Sequence, residues 1–141
     1  MAVCQGEIRD KGTIDLPIGR LPGSAIMRCI DLEQGEHAVT HYSPLAYEND
    51  MTLLRIHLET GRTHQIRVHM SHIGHPVMGD EVYGANRTPF EKRHSALLCG
   101  QCLQAGKLRF AHPATGEMME LEAPLPAEFA KLLDILKQER R

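Results

Sequence analysis

The hydrophobic period of this chain changes abruptly at Thr60-Gly61, and that change limits what it can build. Before it, Leu54, Ile56 and Leu58 alternate with Arg55, His57 and Glu59, the pattern of a half-buried strand. After it, Ile66, Met70 and Ile73 fall at i, i+4 and i+7, the apolar stripe of a helix. Thr63 is the expected N-cap. Gly74 is the expected residue after the C-cap, and Pro76 stops the chain soon after, giving a helix of about ten residues. His64, Arg67 and Ser71 then share the face away from the stripe. Upstream, Ala38–Tyr47 reads as a strand and Glu48-Asn49-Asp50 as a turn. The strand before Thr60 is therefore the second arm of a hairpin.

The remaining pattern is of short elements. AVCQGEI reads as a strand already in progress, and the chain opens abruptly. KGTIDLPI (Lys11–Ile18) reads as an extended piece stopped by Pro17 and by a Gly19–Gly23 turn. GDEVYG is a loop. Ala96–Phe110 is expected to contain one or two strands. HPATGE (His112–Glu117) is a hairpin turn into a strand Met118–Ala123. Pro124 and Pro126 frame a linker, and Phe129, Leu132, Leu133 and Leu136 mark a terminal amphipathic helix. At 141 residues with no repeat or low-complexity linker, the chain reads as one domain with a real core.

Composition removes several functions. Aromatics are 4% with no Trp, which disfavours a stacking platform for single strands. Net charge is −2, so there is no domain-wide basic field for nucleic acid. A local one remains, because Arg55–His75 holds three arginines and five histidines against one acid, Glu59. No apolar run approaches a membrane span, and the N-terminus has no signal-peptide core. A cytoplasmic location is the default, with reduced thiols.

The histidines at 64, 69, 72 and 75 invite a metal reading. His69 with His72 has helical spacing, but the further Asp, Glu or Cys ligand of a usual zinc site is not in place. Cys99-Gly-Gln-Cys102 lacks a partner pair. Neither Ser71 nor the cysteines sit in a nucleophile motif. Arg62 is more informative: it lies in a glycine turn before a helix N-terminus, which offers free N–H groups and a positive dipole end. Arg62, His64, Gln65 and Arg67 would supply donors suited to phosphate, ribose and base edges. The alternative is that both arginines make ion pairs with local carboxylates.

At LLRIHLETGRTHQIRVHMSHIGHPVMGDEVYG (Leu53–Gly84) the chain closely resembles the RluA-type pseudouridine synthases. AVCQGEI, GTIDLPIGR, AVTHYSPLA, QCLQAGKLRFAHPATGE (with Gln104 where a His is usual) and APLPAEFAKLL extend the resemblance from Ala2 to Leu136. It implies an α+β fold with a mixed, largely antiparallel sheet and a few helices. It also implies isomerisation of uridine in ribosomal or transfer RNA without cofactor or metal. In that family an aspartate drives breakage of the N1–C1′ bond of a flipped uridine, the base rotates, and C5 bonds to C1′.

By the same resemblance, Arg67 would salt-bridge that aspartate and Leu103 or Leu108 would line the uracil pocket. Arg62, His64, Gln65 and His72 would face RNA, and His69 and His75 would serve packing and capping. The aspartate's His-Arg-Leu-Asp motif and the active-site tyrosine expected before Ala2 do not occur here. The chain is therefore expected to be the C-terminal part of a single catalytic domain, residues 1–141, inactive alone. It is also expected to have an unpartnered Arg67 and an uncovered sheet edge open to self-association. A non-catalytic RNA-binding remnant and a functionless truncated product are the competing readings.

Overall fold

The computed structural model describes residues 1–48, 50–84, 91–92, 101–103, 107–122, 130–131 and 134, with backbone alone at 48, 107–110 and 121. Among the described residues four strands form the main sheet: β1 (Ala2–Gln5), β2 (Gly12–Asp15), β5 (Val39–Glu48) and β6 (Met51–Leu58). Two further hairpins pair β3 (Ile18–Arg20) with β4 (Arg28–Ile30) and β7 (Lys107–Ala111) with β8 (Met118–Glu122). One helix, α1 (Gln65–His72), follows the main hairpin. All named pairings are antiparallel, with the main sheet in the order β1-β6-β5-β2. The fold is α+β, as expected.

The central hairpin forms where the alternation places it. Leu54 is fully buried and Ile56 half-buried, while Arg55 and His57 face solvent; Leu58, at the strand end, is 40% exposed. Pro44 sits inside β5, where a missing N–H would ordinarily break the ladder. The register shifts between Pro44 and Ala46, so the strand accommodates the proline with a bulge.

One expectation is corrected here. Lys11–Ile18 is not one extended piece: Pro17 separates β2 from β3, and Gly19 lies within β3 rather than in a turn. Of the two sheet edges, the one at β1 is covered. Val3 donates to the Cys102 carbonyl (3.1 Å), Met78 donates to the Val3 carbonyl (2.8 Å), and Gln5 donates to the Pro76 carbonyl (2.9 Å). Ala2, Val3 and Cys4 are completely buried. The turn at His112–Glu117 is present, with Gly116 at φ +75°. Most of Ala96–Gly106, including Cys99, and the apolar positions Phe129, Leu132, Leu133 and Leu136 of the expected terminal helix lie outside the described residues.

α1 lies between two apolar clusters and joins them. Met70, with half-buried Ile66 and Ile73, packs on Ala2, Cys4, Ile8, Ile14, Leu54 and Val77. Val68 packs on Ile18 and Ala38, with Ile30 and Tyr83 alongside. The predicted stripe is therefore real, but a second apolar contact through Val68 binds the small β3–β4 hairpin to the helix.

Candidate active site

α1 starts differently from the capping expectation. Thr63 is exposed and does not cap; the N-cap is His64 at φ 56°, ψ 22°, with no side-chain cap bond. A non-glycine residue in this region stores strain. The surrounding bonds fix it. His64 Nδ1 lies 2.8 Å from the Tyr83 hydroxyl, and the Gln65 carboxamide reaches back to accept from the Arg62 N–H (3.0 Å) and the Thr60 hydroxyl (2.7 Å). The C-terminal end follows expectation. Gly74 has φ +86°. It donates to the Ser71 carbonyl, and His75 donates to the Met70 carbonyl, the paired bonds of a Schellman end.

The face carrying His64, Arg67 and Ser71 converges on one residue, Tyr83. Its hydroxyl meets His64, its ring lies 5.0 Å from the Arg67 guanidinium carbon, and its carbonyl accepts from the Ser71 hydroxyl (2.8 Å). The same hydroxyl accepts the Arg28 N–H (2.9 Å). It is then free to donate to His64 Nδ1, which leaves the imidazole Nε2 as the remaining donor of a neutral ring. Burial, followed by the charges of Arg67 and Arg28, lowers the His64 pKa below its ordinary value.

Arg67 is not left without a carboxylate, as the sequence reading expects. Asp80 takes Arg67 Nε on Oδ2 (2.8 Å) and Nη2 on Oδ1 (2.9 Å), a bidentate pair. Asp80 Oδ1 also accepts the N–H groups of Val82 and Tyr83. The Asp80 side chain is fully buried and that of Arg67 is 12% exposed. Burial alone would raise the Asp80 pKa. The hydrogen bond from Arg67, those from Tyr83 and Val82, and the Arg67 charge together hold it below the usual carboxylate range. A guanidinium has more N–H donors than the two used here, and Nη1 has no partner among the described residues. Arg67 is therefore oriented by one carboxylate while keeping donors for a second anion.

The other singled-out residues separate. Gln65 is corrected from an RNA contact to a structural residue. It is 3% exposed, and its amide nitrogen donates to the Val39 carbonyl and the Thr40 hydroxyl, both at 3.0 Å. His69 is fully buried; Nε2 donates to the Leu16 carbonyl (2.8 Å), so Nδ1 accepts from the Thr40 hydroxyl (2.8 Å). His75 Nδ1 lies 2.9 Å from the Gln5 carbonyl. The rings of these two histidines link α1 and its end to the Leu16 and Gln5 carbonyls rather than capping the helix. Arg62 makes a local ion pair, with Nη1 on Glu36 (2.9 Å) and Nε on the His37 carbonyl, yet it stays exposed. His72 is exposed.

Leu103 is half-buried on the cluster that α1 reaches through Met70. The Leu108 side chain lies outside the described residues. Burial, then the neighbouring Cys102, pushes the Cys4 thiol up to about 12, so it is no nucleophile near neutral pH. Tyr83 and Arg28 escape the sequence pattern, and Asp80 shows there only as part of the GDEVYG loop. A usable signal for Asp80 exists: an aspartate that opens a glycine-bounded loop and can accept the N–H groups two and three residues on.

The helix, its oriented arginine and the antiparallel sheet define an α+β domain with a buried arginine–carboxylate pair beside the helix, and similarity to known proteins gives the family. The RNA pseudouridylate synthase family pattern matches residues 1–72, from β1 to the last residue of α1. The chain belongs to that family, in agreement with the resemblance at Leu53–Gly84. It is 44% identical over 96% of its length to ribosomal large subunit pseudouridine synthase D of Haemophilus influenzae. It is 47% identical over 97% of its length to an uncharacterised RNA pseudouridine synthase of Bacillus subtilis. It spans 44% and 43% of those relatives, less than half of each. The solved human RNA pseudouridylate synthase domain containing 1 superposes with a TM-score of 0.70 at 27% identity, covering 99% of this chain and 64% of that one.

Proposed function

We propose that residues 1–141 are the C-terminal part of one catalytic domain that isomerises uridine to pseudouridine in structured RNA, ribosomal or transfer. The observation that carries this reading is the half-used guanidinium of Arg67, fixed by Asp80 with donors to spare. The aspartate that attacks the nucleotide comes from sequence outside this chain. Arg67 keeps that aspartate ionised and aimed. The N1–C1′ bond breaks, a C5–C1′ bond forms, the C5 proton is lost and N1 regains one. Nothing in this exchange requires a metal or cofactor. Arg62, His64 and His72 contact RNA: the exposed Arg62–Glu36 pair is worth little in water and yields readily to a phosphate, and His64 offers Nε2–H. Leu103 and Leu108 border the base. A cytoplasmic location fits an RNA substrate of this kind.

Loss of the C5 hydrogen supplies the test. RNA tritiated at uridine C5 should release no tritium with the 141-residue chain and should release it with the full product of the same gene. Arg67→Ala in that full product should lower release by about a hundredfold or more. Release by the chain alone would overturn the division of the site. No release by the full product would leave RNA binding without catalysis as the remaining reading.

A further inference from the structure

The β3–β4 hairpin carries a charge arrangement that the proposed reaction does not use. Arg20 and Arg28 are directly opposed in the β3–β4 register, so both side chains stand on one face of a two-stranded ribbon. Like charges in this position cost stability. Arg9, Arg62 and Arg67 each hold a carboxylate, but among the described residues neither Arg20 nor Arg28 has one. The Arg28 Nη1 donates to the Ile26 carbonyl (3.2 Å), which turns the guanidinium along the hairpin tip, and Arg20 is exposed. The tip is well defined: Ser24 Oγ accepts the N–H groups of Ile26 and Met27, and Leu21 donates to the Met27 carbonyl.

The hairpin is also fastened to the candidate site. Ile18 and Ile30 pack beside Val68 of α1, and the Arg28 N–H meets the Tyr83 hydroxyl that holds His64. An uncompensated pair of arginines thus stands on a rigid arm next to Arg67 and His64. From this geometry we infer that the β3–β4 hairpin is an RNA-docking arm, with Arg20 and Arg28 gripping backbone phosphates beside the reacting nucleotide. The inference rests on the proposed RNA reaction and adds to it a surface outside α1. A ribbon suits this role because the two guanidinium groups can reach successive phosphates without rearranging the site.

Counterion release gives the readout, since each phosphate contact contributes a slope of about 0.7–0.9 in log K against log salt. Binding of the full chain to a uridine-containing RNA stem-loop would be measured across a salt series, with Arg20→Gln/Arg28→Gln and Arg20→Lys/Arg28→Lys double variants. The Gln pair should flatten the slope by about 1.4–1.8. The Lys pair should keep it. The thermal midpoint of the Gln pair should equal or exceed that of the parent, because a like-charge pair has been relieved, and this excludes unfolding as the cause of weaker binding. An unchanged slope in the Gln pair, with the parent binding RNA, overturns the docking arm alone. Absence of RNA binding by the parent overturns both the arm and the RNA reading. Tighter arginine-dependent binding to anionic lipid vesicles than to RNA overturns RNA as the partner.

Discussion

Arg67 and Asp80 form a buried pair whose removal should be felt in stability before it is felt in chemistry. Breaking such a pair from one side strands the other charge, at a cost of about 3–5 kcal/mol. Asp80→Asn should therefore shift the urea midpoint strongly near neutral pH. The Asp80 carboxyl is held below its ordinary value of 3.8. A depressed carboxylate stabilises the fold above the unfolded-state pKa and loses that contribution as pH falls through the folded one. The gap between wild type and Asp80→Asn should accordingly be widest above about pH 5 and narrow below about pH 4; a pH-independent gap would contradict the assignment. His69 runs the other way. Burial lowers its pKa from the ordinary 6.5, despite the Leu16 carbonyl. Protonation then favours the unfolded chain, so acidification below about pH 6.5 should destabilise the protein. His69→Asn should be less stable at neutral pH but show a shallower loss between about pH 6.5 and 5. At this scale the sequence announces residue types rather than partners. Gln65 and His64 are adjacent and equally polar, yet one is buried by Val39, Thr40 and Thr60 and the other opens on Tyr83. Except for Thr60, those neighbours come from distant segments, so no local pattern tells the two apart.

Elements were legible in proportion to the locality of the forces that make them. β6 and α1 carry their periodicity within a few residues, and Gly74 ends α1 by backbone geometry alone. β3 has three residues, one of them glycine, and directly follows a proline. Its pairing is supported from α1 and Tyr83, more than forty residues away in the chain. The N-cap is a local exception: Thr63 has the better capping chemistry, but the Gln65 carboxamide three residues on accepts the Arg62 N–H, and the helix starts after His64. Two glycines give a graded test of these constraints. Gly74 has positive φ with open space around it, whereas a Cβ on Gly6 (φ +85°) would stand 2.8 Å from His75 Nδ1. Gly74→Ala should cost about 1 kcal/mol from backbone strain alone. Gly6→Ala should cost clearly more, because the imidazole must also leave the Gln5 carbonyl. Thermal midpoints in the reverse order would show that the His75 contact contributes little.

For the whole molecule the decisive feature is that β1 is sealed. Segments 76–78 and 102–103 occupy its outer side, so β1 is not an open edge. The opposite edge, β2, is four residues long and presents Thr13 and Asp15 to solvent. Short, charged edges resist pairing with a second copy, and light scattering should give a monomer mass. A dimer would assign self-association to β2. A molecule with its own core and covered edge should also accept a missing partner without refolding. If the domain is divided as proposed, the first half of a relative such as the Haemophilus influenzae enzyme should restore tritium release when mixed with this chain. Restoration should disappear with Arg67→Ala and survive His72→Ala with only weaker RNA binding. The contrast is informative because Arg67 acts on the incoming aspartate, whereas exposed His72 touches only RNA in this scheme. Complementation that survives Arg67→Ala would mean that the arriving half brings its own cation. The guanidinium fixed by Asp80 would then be a structural strut rather than the partner of the catalytic acid.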